Sequence, residues 1–269
     1  MISSKKRISR LVIGLNCIDN LVPNSWDMRL NLPNEEAERE IERRCENIIK
    51  KLSNDCSISK TNFVYYSALK KYNLYELLNT IIINSRAGFK FGQIRPRIFA
   101  DDVAPDVKKT IEKLKKSGAI SLPQTEFSLD KIKEEFGKLL SKEDYDKFKQ
   151  KLENETKEPP KIAVLGKAGV GKTTTVNNLF NSNFETGGIG SVTQNAQIIE
   201  NFNLPDGGKL TVVDLPGYGR TIEEDEKNET IYQEFIPQCD IVLLIIQATT
   251  KDFSDDLFFL NKMKTLLMK

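Results

Sequence analysis

The sequence predicts an α/β fold, a mostly parallel sheet flanked by helices, and three observations carry that prediction. KIAVL (161–165) and IVLLIIQA (241–248) are apolar runs without alternation, the pattern of strands covered on both faces. Charge-laced runs with apolar residues at helical spacing alternate with such segments, as in strand–helix–strand units. GKAGVGKT, from Gly166 to Thr173, lies between a β-rich run and the helical run TTVNNLF, fitting the pattern G-x-x-x-x-G-K-[ST] in the context it requires.

In chain order, RLVIGLNC reads as a strand. NEEAEREIERRCENIIKKL reads as an amphipathic helix, with Ile41, Cys45, Ile48, Ile49 and Leu52 on one face. NFVYYSA is a further strand and NLYELLNTIIINS a further helix. Residues 92–158 are rich in Lys and Glu, and runs such as DVKKTIEKLKKSG and LDKIKEEFGKLL mark a helical connector. After the strand KIAVLG, a helix is expected to about Asn181, then a glycine-rich loop, TGGIGSVT. NAQIIENFNL and KLTVVDL read as neighbouring strands joined across PDGG. An acidic helix follows from Glu223 to Phe235, then the buried strand IVLLIIQA. DFSDDLFFLNKMKTLL is a helix capped by Asp or Ser. The expected division is thus 1–91, 92–158 and 159–269, and no internal repeat is visible.

Composition narrows the function. At 269 residues the chain is long enough for a large buried core, and 39% hydrophobic with 29% charged residues is ordinary for a globular protein. A formal charge of +2 gives no bulk attraction to nucleic acid or membrane. No apolar run approaches the roughly 20 residues that span a bilayer, and MISSKKRISRLVIGL lacks a small-residue cleavage site. Cys17, Cys45, Cys56 and Cys239 are scattered without metal-ligand spacing, as expected of reduced thiols in the cytoplasm. Histidine is absent, which excludes Ser-His and Cys-His nucleophile pairs and any histidine base.

The loop at 166–173 has the chemistry of a triphosphate cradle. Glycines let successive backbone N–H groups curl around phosphate oxygens, and the helix that follows adds the positive end of its dipole. Gly166, Ala168, Gly169, Val170, Gly171, Lys172, Thr173 and Thr174 are the expected phosphate contacts. Lys172 reaches the outer phosphates and the Thr173 hydroxyl is placed to ligate Mg²⁺. About forty residues further on, DLPG (Asp214 to Gly217) ends the run KLTVVDL. There Asp214 can hold Mg²⁺ through water and Gly217 can offer its N–H to the terminal phosphate.

This spacing resembles the translation-factor-related GTPases with a Ras-like fold, in particular the Era- and TrmE-like branch and the bacterial ribosome-binding GTPases. The resemblance covers most of residues 8–89 and 130–269. It implies GTP/GDP and Mg²⁺ as ligands, GTP hydrolysis as the activity, and ribosomal RNA or a protein effector as partner. Thr193 is similar to the first-switch threonine that closes over Mg²⁺; an ordinary loop hydroxyl is its other reading. In such a family a base-reading motif N/T-K/Q-x-D follows the last helix here, yet the matching residues stand at the opposite end. LVIGLNCID resembles a strand ending in that motif, with Asn16 and Asp19 in place, and in YYSALKK the residues Ser67 and Ala68 are then expected against guanine O6. A carboxylate suits guanine because it accepts from both N1–H and the exocyclic amine, a donor pair adenine lacks.

The motifs therefore run base-reading first and phosphate-binding second. Either the chain is a circularly permuted GTPase, or it joins the tail of one GTPase to the head of the next in a tandem array. There are also departures. Cys17 replaces the motif's Lys or Gln, Gly169 stands where potassium-activated relatives have Asn, and Tyr218 follows DLPG in place of a water-positioning glutamine. Arg220 reads as an arginine finger in cis or as a solvated switch-loop residue. The basic run Arg86, Lys90, Arg95, Arg97, Lys108, Lys109, Lys113, Lys115 and Lys116 reads as an RNA-facing surface or a solvated helical face. Slow hydrolysis is the expectation; a non-hydrolysing nucleotide-binding module and a phosphate-loop ATPase are the alternatives.

Overall fold

The computed structural model describes residues 10–27, 30–56, 58–85, 96, 141–147, 159–167, 169–183, 197–203, 209–219 and 221–267. The expected connector, 92–158, lies outside them except for Pro96 and a short helix over 142–147 with its preceding residue.

One sheet dominates. β1 (Leu11–Asn16), β4 (Phe63–Tyr65), β5 (Lys161–Leu165), β6 (Gln197–Asn203), β7 (Lys209–Asp214) and β8 (Ile241–Gln247) form six strands in the order β4-β1-β8-β5-β7-β6. Five run parallel and β6 lies antiparallel at one edge against β7. Strands from the two ends of the sequence interleave: β8 is held between β1, in register Leu11↔Val242 to Asn16↔Gln247, and β5, in register Ile162↔Ile241 to Leu165↔Leu244. Being central, β8 buries all but its last residue, which is why its sequence carries no polar alternation.

Helices α1 (Glu35–Cys56), α2 (Leu74–Asn84), α3 (Lys172–Leu179), α4 (Ile222–Phe235) and α5 (Ser254–Leu267) cover both faces. The pleat sorts the core. Along β1, Leu11, Ile13 and Leu15 point to the layer of α1, α4 and α5, whereas Val12 points to the layer of α2 and α3. Helix α1 starts where the Asn34 side chain accepts the Ala37 N–H at 2.9 Å, and Glu35, Glu36 and Glu38 face the positive end of its dipole. Helix α4 starts at Thr221, whose hydroxyl accepts the Glu224 N–H. Before α5, the Asp252 carboxylate accepts from the Ser254 N–H, and the Phe253 carbonyl accepts the first helical bond, from the Leu257 N–H. Helix α3 ends at Leu179, two residues short of the sequence expectation.

The sequence pattern did not disclose a small antiparallel hairpin, β2 (Trp26–Asp27) with β3 (Leu32–Pro33). It docks on the loop after β4: Asn31 donates to the Lys70 carbonyl and accepts from the Trp26 indole N–H, while Trp26 sits edge-on to Tyr72 with centroids 5.3 Å apart. Among the described residues, no helix is long and apolar enough to cross a membrane.

Candidate functional site

Because five strands run parallel, their carboxyl ends share one edge of the sheet, where open α/β folds bind ligands. That edge collects the ends of β1 (Asn16), β4 (leading to Ser67 and Ala68), β5 (leading to Gly166) and β7 (Asp214).

The phosphate loop leaves β5 at Gly166, which is buried with φ +147°; a Cβ there would stand 2.5 Å from the Ile245 carbonyl oxygen. Gly169 (φ +80°) is exposed at the turn, and Gly171 (φ +89°) launches α3. The Lys172 ammonium donates to the carbonyls of Gly166 at 3.0 Å and Lys167 at 3.2 Å, so it lies folded over its own loop. Thr173 and Thr174 occupy the first turn of α3, both half-buried. Val170 is buried, and Ala168 lies outside the described residues.

The base-reading candidates meet this loop directly. Asn16, 2% exposed, donates from Nδ2 to the Val170 carbonyl at 2.9 Å and accepts the Ala68 N–H on Oδ1 at 2.9 Å. One side chain thus ties the end of β1 to the loops after β4 and β5. The close approach explains Gly171 as well, since a Cβ there would fall 2.5 Å from Asn16 Nδ2. Asp19 is half-buried in the short helical turn after β1. Cys17 adopts the left-handed conformation (φ 64°) that starts this turn, and burial together with the neighbouring Asp19 charge pushes its thiol up to about 11. Asn16 braces the phosphate loop through its bond to the Val170 carbonyl. Ser67 is fully buried, bridges to Tyr72 and accepts the Lys70 N–H on its hydroxyl.

Two further bonds join the base-reading and phosphate segments, and neither was apparent from the motifs. The Asn178 amide of α3 donates to the Ala68 carbonyl at 2.8 Å. Tyr66, fully buried against Gly14, shares a hydrogen bond of 2.9 Å with the Thr175 hydroxyl, which donates to the Gly171 carbonyl. The absence of Cβ at Gly14 makes room for the Tyr66 ring, which would otherwise lie 2.7 Å away.

On the other side, Asp214 ends β7 opposite Val164, one residue before the end of the strand that feeds the phosphate loop. Its carboxylate and the Thr173 hydroxyl are both hard oxygen donors, of the type that suits Mg²⁺. Gly217 follows, half-buried, its carbonyl accepting from the Asn228 amide of α4. Tyr218, in the position of a water-positioning glutamine, is turned inward: it is 3% exposed, stacks on Phe259 at 4.2 Å, and donates to Asp256 Oδ1 at 2.7 Å. Burial and the Asp256 charge push its phenol well above the ordinary range. Lys167 of the phosphate loop completes this cluster at 2.9 Å from Asp255 and 3.5 Å from Asp256. Burial works against the Lys167 charge, but the two carboxylates outweigh it and hold its pKa raised.

Thr193, Arg220 and the basic run from Arg86 to Lys116 lie outside the described residues, Pro96 apart.

Residues 161–268 match the family described as 50S ribosome-binding GTPase. Among curated proteins, the chain is 32% identical to uncharacterized protein YkfA of Escherichia coli over 117 residues and 31% identical to uncharacterized protein YfjP of the same organism over 111. These alignments cover 42% and 41% of this chain, and the chain spans 39% and 38% of those relatives' length. It is also 25% identical over 163 residues, 61% of this chain and 18% of the relative, to translation initiation factor IF-2 of Erythrobacter litoralis. The matched segment starts at the first residue of β5 and takes in the phosphate loop, DLPG and α5. The chain therefore carries, on an α/β scaffold, a segment similar to that GTPase family, and the match supports GTP binding.

Proposed function

We propose that this protein is a guanine-nucleotide-binding switch that hydrolyses GTP slowly, with a pocket assembled from residues 1–91 and 159–269 in permuted order. The observation that carries the reading is Asn16, bonded at once to Val170 in the phosphate loop and Ala68 in the base-reading loop. A single purine nucleotide bound at that junction meets both sets of groups.

In this reading the backbone N–H groups of 166–173 and the N-terminus of α3 take the phosphates, and Lys172 leaves its loop carbonyls for their outer oxygens. Asp19 accepts from guanine N1–H and the 2-amino group. The Gly217 N–H and Thr193 attend the terminal phosphate, and Thr173, Thr193 and Asp214 hold Mg²⁺, which supplies charge neutralisation on the phosphates when bound. Thr193 enters on the sequence resemblance alone. Hydrolysis is slow because Tyr218 is committed to Asp256 and orients no water. The loops near 187–193 and 217–224 order on GTP and relax after hydrolysis. A ribosomal partner and a cytoplasmic location follow from the family description and belong to the same proposal.

Competition of mant-GTP and mant-ATP binding in Mg²⁺ tests the nucleotide assignment, and equal affinities would remove it. Lys172→Ala is expected to lose triphosphate binding. The buried Tyr218 also favours a second reading, a module that binds GTP without turnover. Single-turnover phosphate release separates the two: release on Mg²⁺ addition supports the switch, and its absence supports the binding module.

A further inference from the structure

We propose that Asn178, on the helix after the phosphate loop, is a positioning residue for guanine O6. This rests on the guanine reading above and names the residue on which its specificity depends. Three observations lead to it. The Asn178 side chain is buried and donates to the Ala68 carbonyl at 2.8 Å. The Lys71 N–H reaches the same carbonyl at 3.2 Å. The preceding peptide is held separately, by the Ala68 N–H on Asn16 Oδ1.

The consequence follows from peptide geometry. A trans peptide is planar, with C=O and N–H on opposite sides. Pinning the Ala68 carbonyl to α3 therefore aims the Leu69 N–H away from that helix, and the Leu69 side chain is itself exposed. The Ala68 N–H is already engaged by Asn16, so the Leu69 N–H is the donor left pointing outward from this loop to meet a carbonyl oxygen on the purine. Asn178 sets the direction of that donor without touching the nucleotide. Because Asn178 and the phosphate-binding first turn share one helix, the donor's position is referred to the phosphate site.

The inference separates recognition of O6 from recognition by Asp19, so the test uses a nucleotide altered only at that atom. 6-thio-GTP keeps N1–H and the 2-amino group for Asp19 and replaces O6 with a weakly accepting sulfur. Affinities for GTP and 6-thio-GTP are measured by displacement of mant-GDP from the full chain, for the wild type and for Asn178→Asp, which keeps the shape but cannot donate. The wild type is expected to prefer GTP by roughly tenfold, the worth of one good hydrogen bond. In N178D the preference is expected to fall to about twofold or less, chiefly through weaker GTP binding. Asn178→Ala, which adds no charge, carries the same comparison. A ratio of dissociation constants is insensitive to the fraction of folded protein, so partial unfolding does not imitate the effect.

A variant that loses affinity for both nucleotides in proportion, or changes neither, would overturn the role of Asn178 while leaving the guanine reading intact. A wild type that binds GTP and 6-thio-GTP equally, and GTP and ATP equally, would overturn the guanine reading and this inference with it.

Discussion

The Asn16 amide and the Val170 carbonyl meet at 2.9 Å although 154 positions separate them in sequence. Both are buried, and the other end of the same amide holds the Ala68 N–H. Replacing Asn16 with Ala strands an acceptor and a donor in the interior at once. A loss of about 2–4 kcal/mol is expected, on the usual cost of unsatisfied buried groups. Urea unfolding measures it, and nucleotide titration of the same variant is expected to show weakened binding. A stability change within experimental error would contradict the bridging role.

Gly171 has no room for a side chain. Its φ of +89° disfavours any L residue, and a Cβ would press on Asn16 Nδ2 at 2.5 Å. Gly171→Ala is expected to cost about 1–3 kcal/mol in strain and to abolish triphosphate binding, because relief displaces either the loop or Asn16. Calorimetric titration with GTP checks this. Wild-type affinity in the variant would show that the loop tolerates the shift.

Tyr218→Phe removes a hydroxyl and leaves the ring stacked on Phe259. No cavity forms, so the measured change isolates the bond to Asp256, a carboxylate only 2% exposed. Destabilisation of about 1–3 kcal/mol is expected, as for hydrogen bonds to buried charge. Thermal and urea unfolding read it; a neutral outcome would mean that Lys167 alone satisfies the carboxylate.

Alkaline pH should weaken the fold in a defined window. Burial lifts the thiols of Cys45 and Cys239 from 9.0 to about 12 each. Between those values the folded chain holds protons that the unfolded chain has released, so stability falls as pH rises beyond about 9. Below pH 9 these groups contribute no slope. Urea midpoints from pH 7.5 to 10.5 are expected to stay level and then decline, with a shallower decline in Cys45→Ala. A midpoint that rises above pH 9 would contradict the buried-thiol account.

Much of this architecture was legible in the residues because strong signals act locally. KIAVL before GKAGVGKT, and IVLLIIQA without a polar break, announce strands by burial, and the parallel order follows from the helices between them. Asn16 and Asp19 stood out by motif, but the brace that Asn16 forms is a long-range relation no local spacing encodes. The hairpin around Trp26 was missed because strands of two residues carry no periodicity. Tyr66, Thr175 and Asn178 escaped notice for a related reason: each resembles an ordinary strand or helix residue until the elements pack. Tyr218 was legible as a missing glutamine, yet its inward course depends on Phe259 and Asp256, about forty positions downstream.

The middle placement of β8 has a thermodynamic consequence. Any opening that parts the β4–β1 edge from β5 must strip β8 from a neighbour along its length, exposing apolar surface on both faces of the sheet. The two segments that the proposed function assigns to the nucleotide's ends thus share a single melting event. A lesion under Tyr66 is paid at the phosphate loop as surely as one beside Lys172, and occupancy of either end firms the whole.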